Sequence, residues 1–232
     1  QTSWAGRFFE AQKKALSVPV NTGPLLFAQK SRLKENREQL RKRIYKQYAN
    51  DRILIHAGTP KSWRSFRPWI YETLDEYIHN INKIIQAVDK VRGVYLAIRF
   101  RPVGGITSND FKKMLMKSDC YGIYDNGPFD EYLLSADMLI SYSSTTLEEA
   151  LQNKIPVLQF DPDNKYWHIP SNFFRNSNIG NLPAVQCASN YQELCKVIKN
   201  FEKKIDAKID ESEWKEHILD MDDRWLQKVR SI

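Results

Sequence analysis

The sequence lacks the short signatures of the common nucleotide-handling and hydrolytic enzymes. It contains no GxGxxG fingerprint, no Walker-type Gly-Lys-Ser, no HExxH and no GxSxG nucleophile elbow. A dehydrogenase or a P-loop enzyme is therefore disfavoured. Histidine is scarce, with four residues, and cysteine numbers three. Cys120, Cys187 and Cys195 are odd in count and have no metal-ligand spacing. A reducing, cytoplasmic compartment fits that usage best, and neither a metal nor another cofactor is expected. No stretch reads as a signal peptide, and no apolar run is long enough to span a bilayer. Internal repeats and low-complexity segments are absent too.

What is present is enough apolar residue, 42% of 232, for one good core or for one core and an appendage. The net charge of +7 is mostly local. Between Lys30 and Lys46 stand eight basic and two acidic residues, and the remainder is nearly balanced. That distribution argues against specific nucleic-acid binding. The chain begins at Gln1, from which a processed protein or a fragment of a longer one is expected.

Residues 1–29 carry apolar side chains punctuated by Pro19, Gly23 and Pro24. They read either as a linker packed on a neighbouring domain or as a tail laid over this domain's own core. Ser31 can cap a helix running to about Tyr48, with Leu33, Leu40, Ile44 and Tyr48 on one face and a strongly basic opposite face. The basic face is either simply solvated or a contact for anionic lipid headgroups or a polyanionic acceptor, as in membrane-peripheral enzymes. From Arg52 onward, strand patterns at 52–57, 94–100, 121–124, 138–142, 156–160 and 184–187 alternate with helical ones. The helical stretches fall at about 69–89, 109–116, 128–135, 190–205 and 211–229, with a further short one after Thr146. This predicts an α/β fold, a Rossmann-like three-layer domain with a mainly parallel sheet of five to six strands. The boundaries are 1–50 for a linker and basic helix, 51–205 for the Rossmann-like domain and 206–232 for a C-terminal helix.

Residues from Asp137 to Phe160 make a complete strand, turn, helix, turn and strand. Met138, Leu139, Ile140 and Tyr142 give the first strand, and Leu147, Ala150 and Leu151 stripe the helix. Pro156 opens the second strand. Glu148 and Glu149 stand three residues after Thr145 and Thr146, which is capping-box spacing. Two strands joined by one helix lie parallel through a right-handed crossover. The hydroxyl-rich turn Ser143–Thr146 thus falls at a strand's carboxyl end, where open α/β sheets bind phosphorylated ligands.

Three further strand ends carry polar groups: His56, Gly58 and Thr59; Arg99 and Arg101; and Asp161, Trp167 and His168. Four such ends on one sheet edge are site-like. The hydroxyls, with helix amides, can hold a diphosphate or simply cap the helix. Glu149 can accept from ribose hydroxyls or serve as the capping-box partner, as Glu148 can. Arg99 and Arg101 are expected to face opposite sides of their strand end, so that at most one enters a given site and the other makes a surface ion pair. His56 is either a hydrogen-bonded core histidine or a group near a transferred sugar. Trp167 and His168 either stack on a base or close their loop.

The order Gly58-Thr59-Pro60, Arg101-Pro102, then D-x-L-I-S-Y-S-S-T-T-x-x-E-A-L-x-x-x-x-P-V-L at 137–158 resembles the carboxyl-terminal domain of GT-B glycosyltransferases. The similarity is to bacterial surface-polysaccharide and CDP-glycerol-type transferases, over about residues 50–170. Asn21-Thr22-Gly23-Pro24 is similar to the segment leading out of such an enzyme's first domain. The resemblance implies a nucleotide-sugar donor whose phosphate is held by Ser143, Ser144 and Thr145 and whose ribose is held by Glu149. It also implies that a missing N-terminal Rossmann-like domain supplies the site for a glycan acceptor. Arg101-Pro102 stands where many relatives have His-Pro. On this basis His56 and Arg101 are candidate catalytic residues, and Gly58, Thr59, Ser143, Ser144, Thr145, Glu149, Trp167 and His168 candidate donor-binding residues. A 2-epimerase acting on a nucleotide-sugar, or a non-catalytic nucleotide- or polyanion-binding domain, are the alternative readings.

Overall fold

The computed structural model describes residues 27, 33–60, 70–102, 105–169, 183–203, 209–215 and 217–218. The expectations for residues 1–26, for the Ser31 cap, for the loop at 61–68 and for the last helix beyond 218 lie outside that set. Within it, helix α1 (Arg37–Tyr45) starts later than a Ser31 cap would place it. Asn36 closes a capping box instead, its side chain accepting from Gln39 N at 3.0 Å while Gln39 accepts from Asn36 N at 2.9 Å. Helix α2 (Leu74–Val88) is likewise shorter at its start than periodicity suggests, because Thr73 and Glu76 form the same reciprocal cap. Apolar spacing extends a helix past the point where a cap ends it.

Strands β1 (Arg52–Ala57), β2 (Val94–Arg99), β3 (Tyr121–Tyr124), β4 (Met138–Ser141), β5 (Val157–Phe160) and β6 (Val185–Ala188) form one sheet, parallel throughout, in the order β3-β2-β1-β4-β5-β6. Helices α3 (Ser108–Met114), α4 (Phe129–Ser135), α5 (Thr146–Gln152), α6 (Tyr191–Lys203) and α7 (Glu211–Lys215) complete the order. Alternation along the strands divides the core in two. Leu54, Leu96, Ile98, Ile140 and Leu158 pack toward Ile81, Ile84 and Ile85 of α2 and Leu194 and Ile198 of α6. Ile53, Ile55, Ala97, Leu139 and Val157 pack toward Leu133 of α4, Leu147 and Leu151 of α5, and Tyr45 and Trp214. This is the three-layer α/β architecture expected from the sequence.

Asp137, just before β4, ties the first helix to the middle of the sheet. Its carboxylate accepts from Ile53 N at 2.7 Å, from Arg37 Nη2 at 2.6 Å and from Arg41 Nη2 at 2.5 Å. Arg41 Nε also donates to Ser135 O at 2.8 Å, and Arg43 bridges Glu35 and Glu131 at 2.6 and 2.9 Å. Three arginines of the basic stretch are therefore engaged by groups of this chain, whereas Lys34 and Lys46, which flank α1, are exposed.

Removing the Asp137 side chain leaves a mostly buried guanidinium and a strand amide without their acceptor. Asp137→Ala is expected to destabilise the protein by about 2–4 kcal/mol in urea unfolding. In a double-mutant cycle with Arg41→Ala, a coupling energy near zero would contradict the clamp.

Candidate functional site

Strands β2 and β3 are laid on one side of β1, whereas β4 to β6 are laid on the other. The order therefore reverses between β1 and β4, the position where the carboxyl ends of an open α/β sheet leave a crevice. Side chains fasten this junction. Ser141 Oγ donates to Ala57 O at 2.6 Å, and Tyr77 Oη donates to Gly58 O at 3.1 Å. The Gly58–Thr59 turn and the Ser143–Thr146 turn consequently face each other across a fixed edge, with one recess on either side.

The larger recess is an open cleft of about 500 Å³. Ala57, Gly58 and Thr59 form one wall, Ser144, Thr145 and Thr146 a second, and Arg99, Phe100, Arg101, Asp125, Gly127 and Phe129 the remainder. The capping box expected at the head of α5 does not form. Thr145 has helical backbone angles (φ −60°, ψ −13°) and makes no side-chain cap. Ser144 takes over, its Oγ accepting from Thr146 N at 3.3 Å and its carbonyl from Leu147 N at 3.0 Å. Glu148, which would complete a box, is turned inward to His168, whose Nε2 lies 3.1 Å from Glu148 Oε1.

The two arginines after β2 have different fates. The Arg99 guanidinium donates to the carbonyls of Tyr124, Asn126 and Gly127 at 3.1, 2.5 and 3.0 Å and lies 4.2 Å over the Tyr132 ring. It clamps the turn at 124–127 and, like Arg101, lines the cleft, against the expectation that the two arginines face apart; residues two apart at a strand end share a face. Arg101 is exposed at the cleft and has no carboxylate partner among the described residues.

The smaller recess is a cavity of about 20 Å³, room for one water-sized group. It opens beside Gly58 and Thr59 and is lined by His56, Glu72, Asn80, Ser141, Tyr142 and Ser143. His56 is buried against Tyr77, ring centroids 5.9 Å apart. Burial pushes its pKa down to about 3, so it is neutral at physiological pH. Burial also raises the hydroxyls of Tyr77 and Tyr142, which stay protonated.

Of the ten residues singled out from sequence, Gly58, Thr59, Arg101, Ser144 and Thr145 share the cleft, and His56 and Ser143 share the cavity, where Gly58 and Thr59 appear again. Glu149, Trp167 and His168 line neither recess. His168 is buried in its contact with Glu148, and its loop is held by Gln159, which donates to Tyr166 O at 2.9 Å and accepts from Ile169 N at 3.0 Å. Asp161 serves the same loop, accepting from Tyr166 N at 2.6 Å. Glu72, Asn80, Asp125 and Tyr142 were not singled out. Tyr142 reads as the last strand residue, and Asp125 as part of a turn; only the fold shows what they face. Among the described residues no group of three or more His, Cys, Asp and Glu could hold a metal ion, and no helix is long and apolar enough to cross a membrane.

The buried, neutral His56 makes stability depend on pH. Its folded pKa of about 3 lies below the ordinary 6.5. Between those values the unfolded chain binds a proton that the folded one refuses. The favourable contribution is full above about pH 6.5 and falls by ~1.4 kcal/mol per pH unit as pH drops toward 3. Urea unfolding of wild type and His56→Phe across pH 4–8 should show that slope only in the wild type; equal slopes would refute it.

No protein-family model matches the chain, and no curated protein matches it by sequence. Solved structures do. A protein assigned as a UDP-N-acetylglucosamine 2-epimerase from Listeria monocytogenes superposes with a TM-score of 0.57 at 12% identity, over 98% of this chain and 55% of that one. MnaA of S. aureus, solved with UDP, gives 0.55 at 14% identity, over 99% of this chain and 57% of its own. The chain thus spans about half the length of the structures it matches. Those structures are GT-B-fold proteins, and the present chain shares a Rossmann-like α/β fold with the part of them that it covers.

Proposed function

We propose that the cleft at the β1/β4 junction binds the diphosphate of a nucleotide-sugar, and that the chain is the donor-binding domain of a glycosyltransferase building a surface polysaccharide or related glycan. The observation that carries this reading is the convergence of the Gly58–Thr59 turn, the Ser144–Thr146 turn and Arg101 on one cleft at the switch point of the sheet. Hydroxyls, backbone amides near the head of α5 and one guanidinium suit a ligand whose negative charge is spread over two phosphates. The same groups would stabilise the nucleotide as it departs, when charge develops on its terminal phosphate. The acceptor would come from the part of the protein that the GT-B likeness leaves unaccounted for.

A second reading follows from the two neighbours above: a nucleotide-sugar 2-epimerase. Against it stands the chemistry of the two recesses. Their carboxylates are Asp125, which accepts from the Ser108 hydroxyl, and Glu72, which accepts from Asn80 at 3.2 Å, while His56 is held neutral. Leaving-group stabilisation suits this set better than proton abstraction. Incubating the longer protein with UDP-N-acetylglucosamine, and looking for the epimer, separates the two.

Titration calorimetry with UDP, CDP and GDP tests the shared premise. At least one is expected to bind, and Ser144→Ala with Thr145→Ala should weaken it about 10–100-fold, as expected for the loss of two hydrogen bonds to a charged ligand. Arg101→Ala should weaken it further and flatten the dependence on salt. Unchanged affinity in these variants would sink the assignment.

A further inference from the structure

The cavity beneath the Gly58–Thr59 turn has a feature that packing alone does not account for. His56 Nδ1 and Tyr142 Oη are both buried there, and neither has a hydrogen-bond partner. Orphaned buried polar atoms cost about 1–3 kcal/mol each, and native proteins retain few of them. Two around one small recess, beside a candidate ligand cleft, point to a group that arrives from outside. Gly58 and Thr59 line both spaces, and Ser143 of the cavity adjoins Ser144 of the cleft. The Gly58–Thr59 turn is therefore a wall common to the cleft and to the recess that holds these atoms.

We propose that this cavity seats one hydroxyl of the uncharged sugar or polyol group carried by the donor, read by His56, Tyr142 and Glu72. The inference rests on the reading of the cleft as a diphosphate site. Size decides what can enter. At about 20 Å³ the cavity takes one hydroxyl and excludes a whole pyranose ring, which stays in the cleft of about 500 Å³. Chemistry decides its class. A hydroxyl both donates and accepts, and so do the Tyr142 hydroxyl and a neutral imidazole. The Glu72 carboxylate accepts only, and it would repel a sugar bearing its own carboxylate. His56 gives no compensating positive charge, because it is neutral across the physiological range. The donor class that fits is a neutral hydroxylated group on a nucleoside diphosphate, as against a uronate.

The experiment compares bare and substituted diphosphates on the same protein. UDP with UDP-glucose and UDP-glucuronate, and CDP with CDP-glycerol, are titrated calorimetrically. In the wild type at least one neutral donor is expected to bind about tenfold tighter than its parent diphosphate, and the glucuronate no tighter than UDP. Tyr142→Phe, which removes one oxygen, and Glu72→Gln should each bring the neutral ratio close to one. As a check independent of variant folding, the His56 ring nitrogens of the labelled wild type should shift in NMR spectra on adding the neutral donor and not on adding the bare diphosphate. If the diphosphates bind but no neutral donor gains, or the ratio survives both substitutions with His56 unmoved, the cavity is an internal water site and the inference falls alone. If no nucleotide binds, the cleft reading falls and takes this one with it.

Discussion

The pairing of β1 with β4 is the constraint on which the rest of the molecule depends. It is short, with Leu54, Ile55 and His56 opposite Met138, Leu139 and Ile140, yet it is where the sheet changes direction and where both recesses open. Side chains fasten it at each end. At the amino end, Asp137 accepts from Ile53 N and donates its own amide to Ile53 O at 2.8 Å. At the carboxyl end, Ser141 holds Ala57 O. A slip of one residue would turn His56 and Ile140 from the α2 side to the α5 side and carry the cavity with them. The arginines of α1 add weight at the amino end, so a basic helix that looks peripheral in sequence helps to set the geometry of the opposite edge.

How much of this was legible in the sequence follows the range of each interaction. Strand and helix identities came from local periodicity and hold among the described residues, with boundaries displaced by caps at Asn36 and Thr73 and the helix expected from 211 recorded only to Lys215. The strand–turn–helix unit at 137–160 was readable because its own elements follow one another directly and its two strands pair with each other. Strand order was not readable, since nothing in the β4 segment says on which side of β1 it lies. The ion pairs from Arg37 and Arg41 to Asp137 span about a hundred residues, and no local pattern encodes them. The same blindness explains Arg99 and His168. Each is polar at a strand end, as a ligand-binding residue would be, but their partners are the 124–127 carbonyls and Glu148.

Those two cases show how the site is built. A ligand cleft needs some strand-end polar groups turned outward and others turned inward to fix the loops that carry them. Arg99 holds the turn containing Asp125 and Gly127, and Gln159 and Asp161 hold the loop after β5. Arg101, two residues beyond Arg99, is left exposed at the cleft. Spacing of two places both arginines on one face of the strand end, where both line the cleft; only the fold says that Arg99 is the one tied down by carbonyls.

Tyr77 joins the two recesses energetically. Its ring covers His56, its hydroxyl holds the Gly58 carbonyl, and its far side packs on Phe111 at a centroid distance of 5.8 Å. Burial of His56 and placement of the Gly58–Thr59 turn are therefore consequences of one residue's packing. Anything that loosened α2 at this point would hydrate His56 and free the turn at the same time. Neutrality of the imidazole and shape of the Gly58–Thr59 wall cannot be tuned separately, which ties the character of the cavity to the integrity of the cleft beside it.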